Sequence, residues 1–499
     1  MDAVLGLFQG FAVACTPENL FVCLLGAILG TVTGVLPGIG PTAAMALLIP
    51  VSFGLTPTAA MILLAGVYYG AMYGGSTTSI LLNMPGEAAS VVTCIDGYQL
   101  AKKGRAGAAL AVAAIGSWIA GTLAVVGVML FAPPLANMAL KFGPPEYFAI
   151  SFLGLILLTN LSDESALKAV VMAVIGLMLS TIGIDLMSGR TRYTFGFKQL
   201  LDGIDLVPVL MGLFGLSEVL QTIMEKEEDK EVFKFKFRDL YPTRREMKRA
   251  LPSIFRGTLL GFPIGLLPGP SGTLSSFAAY KLEKYACRKN PEFGHGAIEG
   301  VAGPEAANNS ASTASLIPLF SLGLPFAPPV AILLSGLMIH GVNPGPSFVT
   351  QHADIFWGVI ASMYLGNVML LVLNLPMVSV FASLIKTPSK ILMPIITAIM
   401  FVGAYCSSGQ IFDVFILLIF GILGLLFKKY RFDLAPLIVG LVLGNTFEES
   451  LRQGLGIVKG DIGRFVSRPI TGIILALALV VLAWNIIKNI RNKKTQGGK

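Results

Sequence analysis

Charged residues are scarce in this chain, and their scarcity excludes an ordinary soluble protein. Only 13% of the 499 residues are charged, whereas soluble proteins carry roughly a quarter. The sequence is 54% apolar, and its mean hydropathy is +0.76. A membrane helix needs roughly 20 largely apolar residues, so the apolar runs predict about ten or more such segments. We therefore predict an all-α, polytopic integral membrane protein that lies in the lipid bilayer.

Residues that serve catalysis and metal binding are also few. The chain has three histidines and five cysteines, without CxxC or HExxH spacing, and it shows no P-loop or nucleophile elbow. These absences argue against a hydrolase or an ATP-driven pump. The net charge of +8 does not indicate nucleic-acid binding, because the basic residues lie in short loops between apolar runs. We predict that the chain is not an enzyme and holds no resident cofactor.

Basic residues are missing from the whole first fifth of the chain. The first Lys or Arg is Lys102, whereas residues 225–249 contain nine Lys or Arg and seven Asp or Glu. Since basic loops stay in the cytoplasm, the first half is expected to begin outside and the second half inside. We predict a first repeat over 1–224, a cytoplasmic linker over 225–253 with an extended strand at 231–238, and a second repeat with C-terminal helices over 254–499.

One glycine-rich stretch occurs twice. Residues 26–42 read G-A-I-L-G-T-V-T-G-V-L-P-G-I-G-P-T, and residues 257–273 read G-T-L-L-G-F-P-I-G-L-L-P-G-P-S-G-T. Eight of the seventeen aligned positions are identical. With the opposite charge bias of the two halves, this similarity predicts two inverted repeats, each built around a broken helix that returns as a re-entrant hairpin.

The Pro-Gly steps at Pro37-Gly38 and Pro268-Gly269 are the predicted breaks. Hydrocarbon leaves free backbone groups unsatisfied, so a break at membrane depth must face protein or a watery cavity. Half-helix N-termini suit anions there, while freed carbonyl groups suit a small cation such as Na⁺. Kinking of ordinary packed helices is the structural alternative.

Each break is followed by a cluster of hydroxyl and amide side chains. Residues 75–86 and 308–315 share the pattern S-T-x-S. Such groups can donate hydrogen bonds to a carboxylate and can also coordinate a cation. Alternatively, the hydroxyls bond their own helix or serve close helix packing. The candidate substrate and cation site, with Na⁺ ligands unassigned, comprises Pro37, Gly38, Gly40, Thr42, Ser76, Thr77, Thr78, Asn83, Pro268, Gly269, Ser271, Thr273, Asn308, Asn309, Ser312 and Thr313.

Glu305 is the one acidic residue inside the second polar run, between Pro304 and Ala306. It has three interpretations: a cation ligand, a helix N-terminal cap, or a solvated loop residue. The sequence favours the last two.

Several long segments resemble the large membrane subunit of the bacterial tripartite tricarboxylate transporters. The likeness covers nearly the whole chain and is carried by residues 36–42 (L-P-G-I-G-P-T), 65–87, 96–110, 299–309 (E-G-V-A-G-P-E-A-A-N-N), 341–346 (G-V-N-P-G-P) and 449–455. The resemblance implies a multi-pass secondary transporter of the bacterial inner membrane, similar to elevator-type carriers. It also implies two partners, a small membrane subunit and a periplasmic solute-binding protein that captures the organic anion.

We therefore expect a carrier that imports a di- or tricarboxylate such as citrate, coupled to a Na⁺ or H⁺ gradient. Neither core motif contains Lys or Arg, so a co-transported cation must help neutralise the anion in a low-dielectric site. Two alternatives remain open: a carrier for another organic acid, and a channel or scaffold subunit, since broken helices also line channels.

Overall fold

The structure is a computed structural model, and it describes residues 3–36, 40–161, 166–185, 187–224, 241–287, 291–378, 380–381 and 389–496. The described part of the chain is almost entirely helical. In the first half the helices are α1 (Ala3–Ala14), α2 (Pro17–Val35), α3 (Gly40–Ser52), α4 (Pro57–Leu82), α5 (Val91–Lys102), α6 (Ala106–Ala139), α7 (Pro144–Leu161), α8 (Ala166–Ser180) and α9 (Leu206–Met224). A short hairpin of β1 (Gly183–Ile184) and β2 (Thr191–Arg192) precedes α9.

The second half begins with a helix that the sequence analysis placed partly in the linker. The helices are α10 (Arg244–Gly265), α11 (Ser271–Ala286), α12 (Glu299–Ala314), α13 (Leu316–Leu322), α14 (Pro328–Ile339), α15 (Phe348–Gln351), α16 (Ala353–Asn374), α17 (Ser389–Ser408), α18 (Ile411–Lys429), α19 (Ala435–Ile457), α20 (Ile462–Val466) and α21 (Pro469–Gln496). Helix α10 starts at a capping box formed by Thr243 and Glu246. The predicted strand at 231–238 lies outside the described residues.

The repeated glycine stretch forms a packing face in each half. A side chain on Gly30 would lie 2.4 Å from the carbonyl oxygen of Val67, so α2 and α4 touch backbone to backbone. Gly26 and Gly34 make equivalent contacts one turn away on either side, with the carbonyls of residues 63 and 71. Because the residue numbers of the contact partners rise together along both helices, α2 and α4 are parallel. Small residues permit this close approach of membrane helices.

The second half repeats this contact between α10 and α12. A side chain on Gly257 would lie 2.2 Å from the carbonyl oxygen of Gly303, and one on Gly261 would lie 2.2 Å from that of Ala307. The contact partners again advance together, so α10 and α12 are also parallel. The shared glycines therefore serve the same packing geometry in both halves.

The two helix pairs run in opposite directions relative to each other. Near the middle of α4, Met72 lies close to the same glycine, Gly272, as Ser312. Further along α4, the Ser76 hydroxyl donates to the carboxylate of Glu305. The residue number of the contact on α12 thus falls as the residue number on α4 rises. This antiparallel contact is the arrangement that the predicted inverted repeat requires.

The remaining helices surround these pairs. Helices α6 and α16 pack on α4, and α6 also packs on α12. Helices α7, α8, α19 and α21 pack together, while α18 packs on α9. Among the described helices, five are long and apolar enough to cross a membrane: Pro17–Val35, Ala106–Ala139, Leu206–Met224, Ala353–Asn374 and Ile411–Lys429. Further apolar helices of 10–17 residues account for most of the other predicted segments.

We predict that Gly261→Ala destabilises the protein, because its new methyl group would meet the α12 backbone at 2.2 Å. Overpacking of this kind costs roughly 1 to 3 kcal/mol. Gly54→Ala is the matched control, since nothing lies within 4 Å of that position. Thermal unfolding in detergent should show a lower melting temperature for Gly261→Ala alone. Equal melting temperatures for both variants would contradict the close contact between α10 and α12.

Candidate functional site

The two predicted break regions meet at a single cavity of about 390 Å³. The candidate residues that line it come from both halves of the chain: Gly40, Thr42, Gly269, Ser271, Thr273 and Ser312. Pro37 and Gly38, which the sequence analysis also placed here, lie outside the described residues. Six of the sixteen candidates thus line the same cavity, although residues 42 and 269 are far apart in sequence.

Helices α3, α11 and α14 begin at this cavity. Helix α3 starts at Gly40 and α11 at Ser271, and both glycines at the adjoining turns, Gly40 and Gly269, have left-handed φ angles of 61° and 128°. Helix α14 starts at Pro328, which also lines the cavity. Neither α11 nor α14 has a side-chain hydrogen bond at its N-cap. Helix N-termini carry backbone N–H groups without an intrahelical partner, which α3 and α11 can offer to an anion. Pro41 removes one such donor from α3, and the two prolines of α14 leave that helix fewer still.

The second break is tied to the segment before α14 by a backbone hydrogen bond. The N–H of Gly269 donates to the carbonyl of Phe326 at 2.8 Å. A polar backbone group freed by the break is thus satisfied by another non-helical segment. This arrangement fits the rule that irregular backbone at membrane depth must be buried in protein or line a cavity.

Three charged residues that the sequence analysis did not select also line the cavity: Glu87, Glu218 and Lys428. The Lys428 ammonium donates to Glu218 at 2.5 Å. Glu87 Oε1 is buried and accepts no hydrogen bond in the described part of the chain. Lys428 was missed because it ends a helix more than a hundred residues beyond the motifs, where a lysine is typical of a cytoplasmic anchor.

Glu305 is buried, and the expectation that it is a cap or a solvated loop residue is wrong. Its side chain is 0% exposed and lies within α12. Its carboxylate accepts hydrogen bonds from Ser76 (2.6 Å), the amide of Asn308 (3.4 Å) and the hydroxyl of Thr93. The polar residues around 300–315 form a helix rather than a loop because their partners lie on the packed α4 and α5. Glu305 therefore joins the two halves of the chain at their crossing.

The other candidates lie away from the cavity lining. Asn309 donates to the Ser117 hydroxyl at 2.8 Å, and Thr78 bonds the carbonyl of Gly75 in its own helix at 3.1 Å. Asn83 is exposed and ends α4 in a left-handed conformation. Thr77, Pro268 and Thr313 are buried outside the cavity lining. For these residues the packing interpretation fits the structure better than direct contact with a ligand.

A second cavity of about 510 Å³ lies beside the short hairpin. Asp202, Asp205 and Glu449 add negative charge to its lining. The two arginines there pair with acids: Arg452 donates to Asp185 at 2.9 Å and to Glu448 at 3.0 Å, and Arg192 bridges the same two acids. The Ser188 hydroxyl and the Arg452 guanidinium hold the pKa of Asp185 well below its usual range. This network is internally neutralised, so it offers an anion less than the first cavity does. No group of three or more His, Cys, Asp or Glu suited to a metal occurs among the described residues.

Comparison with known proteins agrees with the resemblance seen in the sequence. Residues 20–439 match the family described as the tripartite tricarboxylate transporter TctA family. A protein of Agrobacterium vitis, described as an uncharacterized 52.8 kDa protein in the TAR-I ttuC' 3' region, is 45% identical over 494 residues, which cover 99% of this chain and 98% of the relative.

A second Agrobacterium vitis protein, described as an uncharacterized protein in the TAR-II ttuC' 3' region, is 41% identical over 236 residues. This match covers 47% of the present chain and 98% of the relative. No solved structure matches the chain. On the match over residues 20–439 and the full-length relative, the chain belongs to the tripartite tricarboxylate transporter TctA family.

Proposed function

We propose that this chain is the membrane subunit of a binding-protein-dependent secondary transporter that imports a di- or tricarboxylate such as citrate. Its family consists of tripartite transporters, so a small membrane subunit and a periplasmic solute-binding protein complete the system in the bacterial inner membrane. Transport is coupled to a Na⁺ or H⁺ gradient. The chain itself catalyses no covalent reaction.

The observation that carries this proposal is the cavity between the two breaks. It receives the N-termini of α3 and α11, whose backbone N–H groups and positive dipole ends favour a carboxylate. The hydroxyls of Thr42, Ser271 and Thr273 line the same space and can donate further hydrogen bonds. A small organic anion placed there is held by groups from both halves of the chain at once.

The charge of the cavity lining supports coupling to a cation. Glu87 and Glu218 oppose the single ammonium of Lys428, which leaves a formal charge of −1 before any anion enters. A multivalent anion in a poorly solvated site requires compensating positive charge. The cation that accompanies the substrate supplies this charge.

Glu87 is the proposed ligand for that cation. Its Oε1 is buried without a hydrogen-bond partner in the described residues, and an unsatisfied buried carboxylate oxygen is costly. A proton or Na⁺ at Glu87 would remove this cost and neutralise a charge beside the substrate. Glu305 is a weaker candidate, because Ser76, Thr93 and Asn308 already donate to its carboxylate.

The proposal predicts uptake of labelled citrate by proteoliposomes that contain this chain and its small subunit, with its binding protein outside. Uptake should saturate with concentration, and it should fall at least tenfold when the binding protein is omitted. It should fall similarly when both the Na⁺ and the proton gradients are abolished, because the anion then lacks its accompanying cation. Passive flux that does not saturate would indicate a channel, and uptake that is indifferent to both gradients would contradict coupling.

Glu87→Gln should separate exchange from net transport. The amide keeps the shape of the neutral side chain, so exchange of labelled for unlabelled substrate across the membrane should continue. Gradient-driven accumulation should fall below about a tenth of the wild-type level, because the variant cannot release and rebind the cation. Glu18→Gln, at an exposed acid that starts α2, is the control. Normal accumulation by Glu87→Gln would remove Glu87 from the coupling mechanism.

A further inference from the structure

Lys428 contributes the single cationic side chain among the described residues that line the cavity. It lies in the last turn of α18, and its ammonium donates to Glu218 of α9 at 2.5 Å. The two side chains are 25% and 20% exposed. The ion pair therefore faces open space, although it is largely enclosed by protein.

This ion pair lines the same cavity as the helix starts. Helices α9 and α18 pack on each other and contribute Phe214, Glu218 and Lys428 to the lining. The N-termini of α3 and α11 reach the same cavity from the broken-helix hairpins. An anion that contacts both the helix starts and Lys428 must present two acceptor groups, which a molecule with two or more carboxylates does.

An ammonium group can change partners at low cost. Lys428 has three N–H donors on a flexible stem, and one of them is engaged by Glu218. A carboxylate that enters the cavity can replace Glu218 or share the ammonium with it. Either outcome offsets part of the free-energy cost of removing the anion from water, because charge-assisted hydrogen bonds are stronger than neutral ones.

We propose that Lys428 binds one carboxylate of the transported anion, and that Glu218 competes with this carboxylate for the ammonium. This inference rests on the proposed function and names the charge-recognising pair of its site. A monocarboxylate can bind either the helix starts or Lys428, whereas a di- or tricarboxylate can bind both. The Lys428–Glu218 pair thus favours substrates with more than one carboxylate.

The alternative role for Lys428 is an interfacial anchor, since lysines commonly end membrane helices and complement the helix dipole. Lys429 provides the matched control for that role. It lies in the same turn of α18, is exposed, and does not line the cavity. An anchoring role would be shared by both lysines, whereas substrate recognition belongs to Lys428 alone.

Uptake kinetics of Lys428→Met, Lys429→Met and Glu218→Gln in the complete transporter test this proposal. The probe is whichever of citrate, malate and succinate the wild type takes up fastest. Lys428→Met should raise the half-saturating concentration at least tenfold, because a charge partner of the anion is lost. Glu218→Gln should lower it severalfold, because the ammonium no longer has a competing carboxylate. Lys429→Met should leave it unchanged.

The opposite signs expected for the two members of one ion pair distinguish recognition from a structural salt bridge. Equal losses of uptake and of folded protein in Lys428→Met and Glu218→Gln would overturn the proposal, as would an unchanged half-saturating concentration in Lys428→Met. If Lys428→Met does not fold, the half-saturating concentration of Glu218→Gln decides alone, and an increase in that concentration overturns the proposal. Failure of the proposed function itself is seen separately, as absence of saturable wild-type uptake of all three acids.

Discussion

Close backbone contact between parallel helices is the constraint on which the rest of this structure depends. Gly30 against Val67, and Gly261 against Ala307, bring two helix pairs to distances that leave no room for a side chain. Each pair contains the helix that breaks, so the contact fixes where the break lies. The chain then has to satisfy the freed backbone groups at membrane depth, and residues next to each break, Gly40 and Gly269, line one cavity.

The crossing of α4 and α12 holds the two halves together around this cavity. Glu305 is buried there with hydrogen bonds from Ser76, Thr93 and Asn308, so the polar residues between the halves are largely used for structure. The cavity itself has different chemistry, because helix N-termini and an ion pair both line it. This division explains why the same sequence motifs contain both packing residues and residues available to a ligand.

The fold class and the glycine contacts between helices could be predicted because they depend on local patterns. Low charge and long apolar runs specify a membrane protein, and the glycine spacing specifies helix contact. The break at Pro268-Gly269 and the lining residues Thr42, Ser271 and Ser312 followed from the same patterns. Within the described residues, these are the predictions for which the structure shows the expected juxtaposition.

Glu305 and Lys428 show where sequence reasoning stops. Glu305 was expected near solvent because its neighbours are small and polar, but the helices that cover it come from a distant part of the chain. Lys428 resembles an ordinary anchor at a helix end, and only the packing of α18 against α9 turns it toward the cavity. Both features depend on contacts between segments far apart in sequence, which a local pattern does not encode.

The central claim is that the anion binds between the two breaks, and protection of an introduced cysteine by substrate tests it most directly. In a cysteine-free background, Thr273→Cys lines the proposed cavity, and Asn445→Cys lines the cavity beside the hairpin. The account predicts that excess citrate slows modification of Thr273→Cys by a thiol reagent at least severalfold and leaves Asn445→Cys unchanged. Protection of Asn445→Cys alone would place the anion at the other cavity and contradict the account.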